Sequence, residues 1–178
     1  AQLAAMLEQE QGAPGEVLTV SPRDASRDRW LERTVSSSGE RLAEVRDAIF
    51  ELARPRPHHL VLDLAAGTGL LTWEAARRTP EGQVWALEAD AAAARTLEEQ
   101  AANLAELQRP VVLNLGADAL TPGGLDDLFG EIRFDVALGR DVLSRAGDLA
   151  DFFGTLLAVL APEGEAVLAE PHSRRAQR

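Results

Sequence analysis

The sequence predicts an α/β fold built on a doubly wound, mainly parallel sheet. Three observations carry that expectation. From about residue 40 onward, short apolar runs alternate with stretches of helical period, the pattern of parallel strands joined by helical crossovers. The short runs are close to continuously apolar, as strands buried on both faces are. Proline and glycine fall between the runs, where such a chain must turn. At 178 residues the chain is long enough for one domain with a substantial core.

Residues 1–35 show no sustained period and are expected to form an arm or extension, with the core spanning residues 36–178. Leu3, Met6 and Leu7 suggest one helical turn, and the charges around Trp30 a self-neutralising solvated face. Ser37 followed by Glu40 fits a capping box. Leu42, Val45, Ile49 and Leu52 then recur at helical spacing until Pro55 and Pro57. Leu60 to Ala65 reads as the first strand, Leu70 to Thr79 as a helix, and Val84 to Glu88 as the second strand. Asp90 is placed to cap a helix with Ala94, Leu97, Ala101 and Leu104 on one face. Val111 to Leu115 is the third strand, Leu125 to Phe129 a short helix, and Phe134 to Leu138 the fourth strand. Leu149, Phe152, Phe153, Leu156, Leu157 and Leu160 form a helical stripe closed by Pro162 and Gly164, and Glu165 to Ala169 is the fifth strand.

Composition narrows the function. The net charge is −11, from 18 basic and 29 acidic residues; every basic residue is Arg. A field of that sign disfavours nonspecific nucleic-acid binding. With no cysteine, disulfides, thiolate metal sites and cysteine nucleophiles are excluded. No apolar run is long enough for a bilayer and no secretory leader is legible, so a cytoplasmic location without a membrane partner is expected. The chain starts at Ala1 and ends at Arg178 just past a strand, which suggests a domain cut from a longer protein.

In an open parallel sheet, ligands sit beyond the carboxyl ends of the strands. The first strand runs into Asp63-Leu64-Ala65-Ala66-Gly67-Thr68-Gly69, where two glycines allow close backbone approach and the next helix aims its N-terminus. Glu88 ends the second strand, 19 residues after Gly69, where a carboxylate can accept ribose hydroxyls. A dinucleotide site calls for a third glycine where this chain has Thr72, and has no need of Asp63. Both residues weigh against NAD.

Together these motifs resemble the class I S-adenosylmethionine-dependent methyltransferases. Val61 to Gly69 resembles that family's first motif, with Ala65 where a glycine is commoner. Val84 to Asp90 resembles the acidic second-strand motif, Leu115 to Ala119 the loop after the third strand, and Phe134 to Arg140 the fourth-strand motif. Leu160 to Leu168 resembles the turn into the fifth strand. The resemblance covers roughly residues 40–170 and implies a Rossmann-like core that uses S-adenosylmethionine to methylate an acceptor not identified by the motifs. It implies that Gly67 and Gly69, with Ala65 and Thr68 in the same loop, pass under the methionine part of the cofactor. Asp63 would order that loop and reach the cofactor's amino group. Glu88, beside Ala89, would hold the ribose. Asp118 and the amide of Ala119 would read the adenine edge, and Gly139 belongs to the fourth-strand motif.

Catalytic residues are not legible. Asp141 can orient a substrate, accept a proton or cap the following turn, and the cap is the plainer reading. His58 and His59, without a third ligand, read as solvated loop residues. His172 follows the fifth strand on the site's side and reads as a loop residue. Trp73 and Trp85 read as core. The family's last antiparallel strands have no counterpart, which leaves the fifth strand as an exposed edge for an adjoining domain or a second copy. The competing reading is a degenerate, non-catalytic cofactor-binding or interaction module of a larger, ATPase-linked protein.

Overall fold

The computed structural model describes residues 39–171. The expected arm over 1–35, the Ser37 cap and His172 lie outside the described residues. Helix α1 is described over residues 39–53. It is followed by β1 (Leu60–Asp63), α2 (Leu70–Arg78), β2 (Gln83–Leu87), α3 (Ala91–Ala101) and β3 (Val111–Leu113). After two single 3-10 turns come α4 (Leu125–Phe129), β4 (Phe134–Arg140), α5 (Leu149–Val159) and β5 (Leu160–Ala169).

The five strands form one sheet in the order β3-β2-β1-β4-β5, and every neighbouring pair is parallel. The order reverses at β1, whose neighbours are β2 and β4. Val61 pairs with Val84 on one side and with Val136 on the other. The central strands are fully buried, with Val61, Leu62, Val136, Ala137 and Leu138 all at 0% exposure, which is why they read as unbroken apolar runs.

Two layers cover the sheet. Ile49, Phe50 and Ala53 of α1 join Leu71 and Ala75 of α2 against Val61, Val84, Val136 and Leu138. On the other face Phe129, Phe152, Leu156 and Val159 pack on Leu62, Leu87 and Phe134. Trp85, Phe129 and Phe134 meet there edge to face, with centroids 5.2–6.2 Å apart, the geometry aromatic quadrupoles prefer. Asp90 caps α3 as expected, accepting from the amides of Ala92 and Ala93. Asp148 caps α5 in the same way, through Ala150 and Asp151.

Three expectations change. The buried face of α1 is centred on Ile49, Phe50 and Ala53, whereas Leu52 is 69% exposed; the large Phe50 ring takes the inward position. Helix α5 is apolar on two sides: Phe152, Leu156 and Val159 are buried, while Leu149, Phe153 and Leu157 are exposed. Finally, Pro162 and Gly164 lie inside β5, not in a turn that precedes it. The register to β4 shifts between Phe134 and Val136, and a Cβ on Gly164 would stand 2.6 Å from the Phe134 carbonyl oxygen. A bulge on an edge strand accommodates both residue types. No helix among the described residues is long and apolar enough to cross a membrane.

Candidate functional site

The carboxyl ends of β1, β2 and β4 converge where the strand order reverses, the place where open α/β sheets bind ligands. Asp63 closes β1 with 0% exposure. Its Oδ1 accepts from the Ala65 amide at 3.2 Å and its Oδ2 from the Thr72 hydroxyl at 2.7 Å. It is therefore the internal brace of the glycine loop. Burial pushes its carboxyl up to about 6; the Thr72 and Ala65 hydrogen bonds oppose that, and the charge of Glu88 adds to it. Thr72, which the sequence offered only as a missing glycine, is the brace's partner. It sits on the first turn of α2, facing back to the strand that precedes the loop.

Glu88 follows β2 and is 8% exposed. Its Oε2 accepts from the Gly67 amide at 2.7 Å and its Oε1 from the Asp90 amide at 2.8 Å. A carboxylate offers about four acceptor positions, so about two remain. Asn114 donates to the carbonyls of Glu88 and Ala89 and fixes that turn; the sequence places it inside the third strand, which ends at Leu113 instead, so nothing local marks it.

The loop's glycines have separate reasons. Gly69 lies at φ 87, and a Cβ there would overlap the indole of Trp73. Its bareness thus serves a packing contact within the chain. Gly67, at φ 56, is exposed, with open space where a Cβ would be. Thr68 is exposed beside it. Thr68 and Gly69 face a separate cavity of about 400 Å³ that Arg46, Trp73 and Arg77 also line.

Ala65, Glu88, Ala89 and Asp118 line one narrow cavity of about 30 Å³, walled by Leu64, Leu87, Val142 and Phe152. Through Ala117, Asp118, Ala146 and Phe152 it adjoins a wider cavity of about 340 Å³. The Ala119 amide is engaged within its own turn, donating to Gly116 at 3.0 Å. Gly139 is buried in β4, and a Cβ on it would stand 2.6 Å from Val142 Cγ2. It is packed under the loop that follows β4.

That loop is held from β5. Glu170 Oε1 accepts from the amides of Val142 and Leu143 at 2.8 and 2.9 Å. The cap that the sequence suggested for Asp141 is thus supplied by Glu170, reached only because β5 pairs in parallel with β4. Among the described residues no group of three or more His, Asp or Glu is placed to hold a metal. His58 and His59 lie at the amino end of the sheet, on a cavity shared with Arg54, Arg56 and Asp135.

The family model described as "Methyltransferase domain" matches residues 62–166, more than half of the chain. No curated protein matches it. Solved structures do. Coclaurine N-methyltransferase bound to N-methylheliamine and SAH superposes with a TM-score of 0.60 at 17% identity, over 71% of this chain and 35% of that one. Precorrin-6y C5,15-methyltransferase from Geobacter metallireducens GS-15 gives 0.56 at 23% identity, over 70% and 61%. TrmN from Thermus thermophilus gives 0.55 at 26% identity, over 70% and 37%. The chain therefore spans less than two thirds of each of those proteins. With a family model that matches more than half of its length and a five-stranded parallel sheet whose order reverses at β1, the chain belongs to the family of methyltransferase domains.

Proposed function

We propose that this domain binds S-adenosylmethionine across the carboxyl ends of β1, β2 and β3 and methylates a separate acceptor. The observation that carries this reading is the cavity that Ala65, Glu88, Ala89 and Asp118 share. These residues fit the cofactor. Glu88 keeps acceptor positions for a ribose diol after bonding the Gly67 and Asp90 amides. Asp118 is exposed and can accept from an exocyclic amine. Leu64, Leu87 and Phe152 supply apolar walls for a base. The cofactor's own contribution is a methyl group on a sulfonium sulfur, ready for in-line transfer. The domain's part is to position it. Asp63 and Thr72 hold the Ala65–Gly69 loop in place before binding, and Gly139 leaves room for the Val142 side chain that lines the cavity.

The narrowness of the cavity, about 30 Å³, favours a second reading, a non-catalytic binding or interaction module. Calorimetric titration with S-adenosylhomocysteine separates the two, with NAD as control. Micromolar binding that weakens at least tenfold in Glu88→Ala, with circular dichroism unchanged, is the expected result. A stable fold that takes up no S-adenosylhomocysteine would leave the interaction module as the function.

A further inference from the structure

Three residues that line the narrow cavity, Val142, Arg145 and Ala146, belong to one turn that follows β4. Glu88 and Asp118, which line the same cavity, follow β2 and β3, on the other side of β1 in the sheet. The turn closes on itself through two bonds. The Arg145 amide donates to the Val142 carbonyl at 3.1 Å, and the Ala146 amide to the Leu143 carbonyl at 3.3 Å. The first two amides, of Val142 and Leu143, precede any carbonyl the turn can offer them. Both donate to one oxygen of β5's Glu170, Oε1, at 2.8 and 2.9 Å, which satisfies backbone groups that would otherwise be left unpaired. The Asp141 amide, just before them, donates to the Ala169 carbonyl at 3.0 Å. The turn is thus carried by the end of β5, and one half-buried side chain makes the two bonds that fix its start. Val142 is buried against Gly139, where a Cβ would stand 2.6 Å from its Cγ2, so the position of the turn passes directly to the cavity.

We propose that Glu170 is a positioning residue for the cofactor and that it acts on the nucleoside end. It rests on the cofactor reading above. Glu170 touches no ligand; it holds Val142, Arg145 and Ala146 in register with Glu88 and Asp118. It also fixes where the Arg145 guanidinium stands relative to those two carboxylates, the other charges on the cavity. At about 30 Å³ the cavity has little slack, so a turn released from Glu170 would have to be ordered again by each ligand, at the expense of affinity.

The test titrates S-adenosylhomocysteine and adenosine calorimetrically into the wild type, Glu170→Ala and Glu170→Gln, well below the melting temperature of each. There a variant that is folded but merely less stable binds as before, so affinity reports positioning and not stability. Glu170→Ala should weaken S-adenosylhomocysteine about tenfold, the scale of ordering a freed segment on binding, and adenosine by the same factor. Glu170→Gln keeps a carbonyl oxygen that can accept from both amides and should stay within about threefold of the wild type. Hydrogen exchange at the Val142 and Leu143 amides should be slow in the wild type and in Glu170→Gln, and faster in Glu170→Ala. If Glu170→Ala does not fold, Glu170→Asp, which withdraws the oxygen by one methylene, carries the same expectation. Unchanged affinity in the folded Ala or Asp variant overturns the proposal, as does a Gln variant weakened as much as either. A loss for S-adenosylhomocysteine that adenosine does not share overturns the assignment to the nucleoside end. Failure of the wild type to bind S-adenosylhomocysteine overturns the cofactor reading, and this inference with it.

Discussion

Replacing Asp63 by Asn should stabilise the domain at neutral pH, although it removes a charge from the brace of the glycine loop. Asp63 is fully buried, and its carboxyl is raised from 3.8 to about 6, chiefly by loss of water. At about 1.4 kcal/mol per pH unit, that is a cost of about 3 kcal/mol to keep it ionised in the folded chain. The sign follows from proton binding. Between pH 4 and 6 the native state holds a proton that the unfolded chain has released, so stability falls as pH rises through that window. The cost is absent below about pH 4 and complete above about pH 6. In Asp63→Asn, Oδ1 can accept from the Ala65 amide and Nδ2 can donate to the Thr72 hydroxyl oxygen, so both contacts persist in altered form. Most of the cost should therefore be recovered, about 2–3 kcal/mol, or a rise of about 4–12 °C in Tm for a domain of this size. Thermal melts of both proteins at half-unit steps from pH 4 to 7.5 provide the assay. The curves should converge near pH 4 and separate by pH 7. A variant that is less stable at pH 7, or that retains the wild-type slope between pH 4 and 6, would refute the assignment of a buried, ionised Asp63.

Two further outcomes follow from the same loop. Gly69→Ala combines a strained φ of 87 with overlap on the Trp73 indole, so it should cost about 2–4 kcal/mol. Urea unfolding measures the loss, and Trp73→Leu in the same chain should restore part of it; no restoration would mean that backbone strain alone is responsible. S-adenosylmethionine carries a sulfonium and an ammonium group, which favour ionised Asp63, so its affinity should fall as pH drops through about 6. Titrations at pH 7.5 and 5 check this, and equal affinities would mean that Asp63 is remote from the bound cation.

What was legible in the sequence was local. The central strands announced themselves because Val61, Leu62, Val136 and Leu138 are buried on both faces and leave no alternation to misread. Asp90 was legible as a cap because its partners are two and three residues away. The misreadings are long-range. Leu52 fits the helical period as well as Phe50 does, and only the contact of α1 with β1, β2 and β4 decides which turns inward. The start of β5 depends on a shift of register against β4, which Pro162 and Gly164 permit but do not encode. Glu170 reaches Val142 across 28 residues, so its role exists only once β4 and β5 are paired.

The residues assigned to the ligand from the sequence turn out to have a prior task. Both oxygens of Asp63 and both oxygens of Glu88 bind this chain's own loop and turn. Gly69 makes room for Trp73, and the Ala119 amide closes its own turn. A motif of this kind is therefore first a device for fixing backbone. A ligand that meets a loop already fixed loses less of its binding free energy to ordering that loop. Asp63 is the residue where this arrangement is costly, since its charge is buried with a hydroxyl and an amide as partners and with Glu88 adding to its load. A neutral brace would hold the loop with less penalty. A carboxylate at this position is intelligible if a cation comes to rest nearby, and that expectation joins the stability of the empty domain to the charge of what it binds.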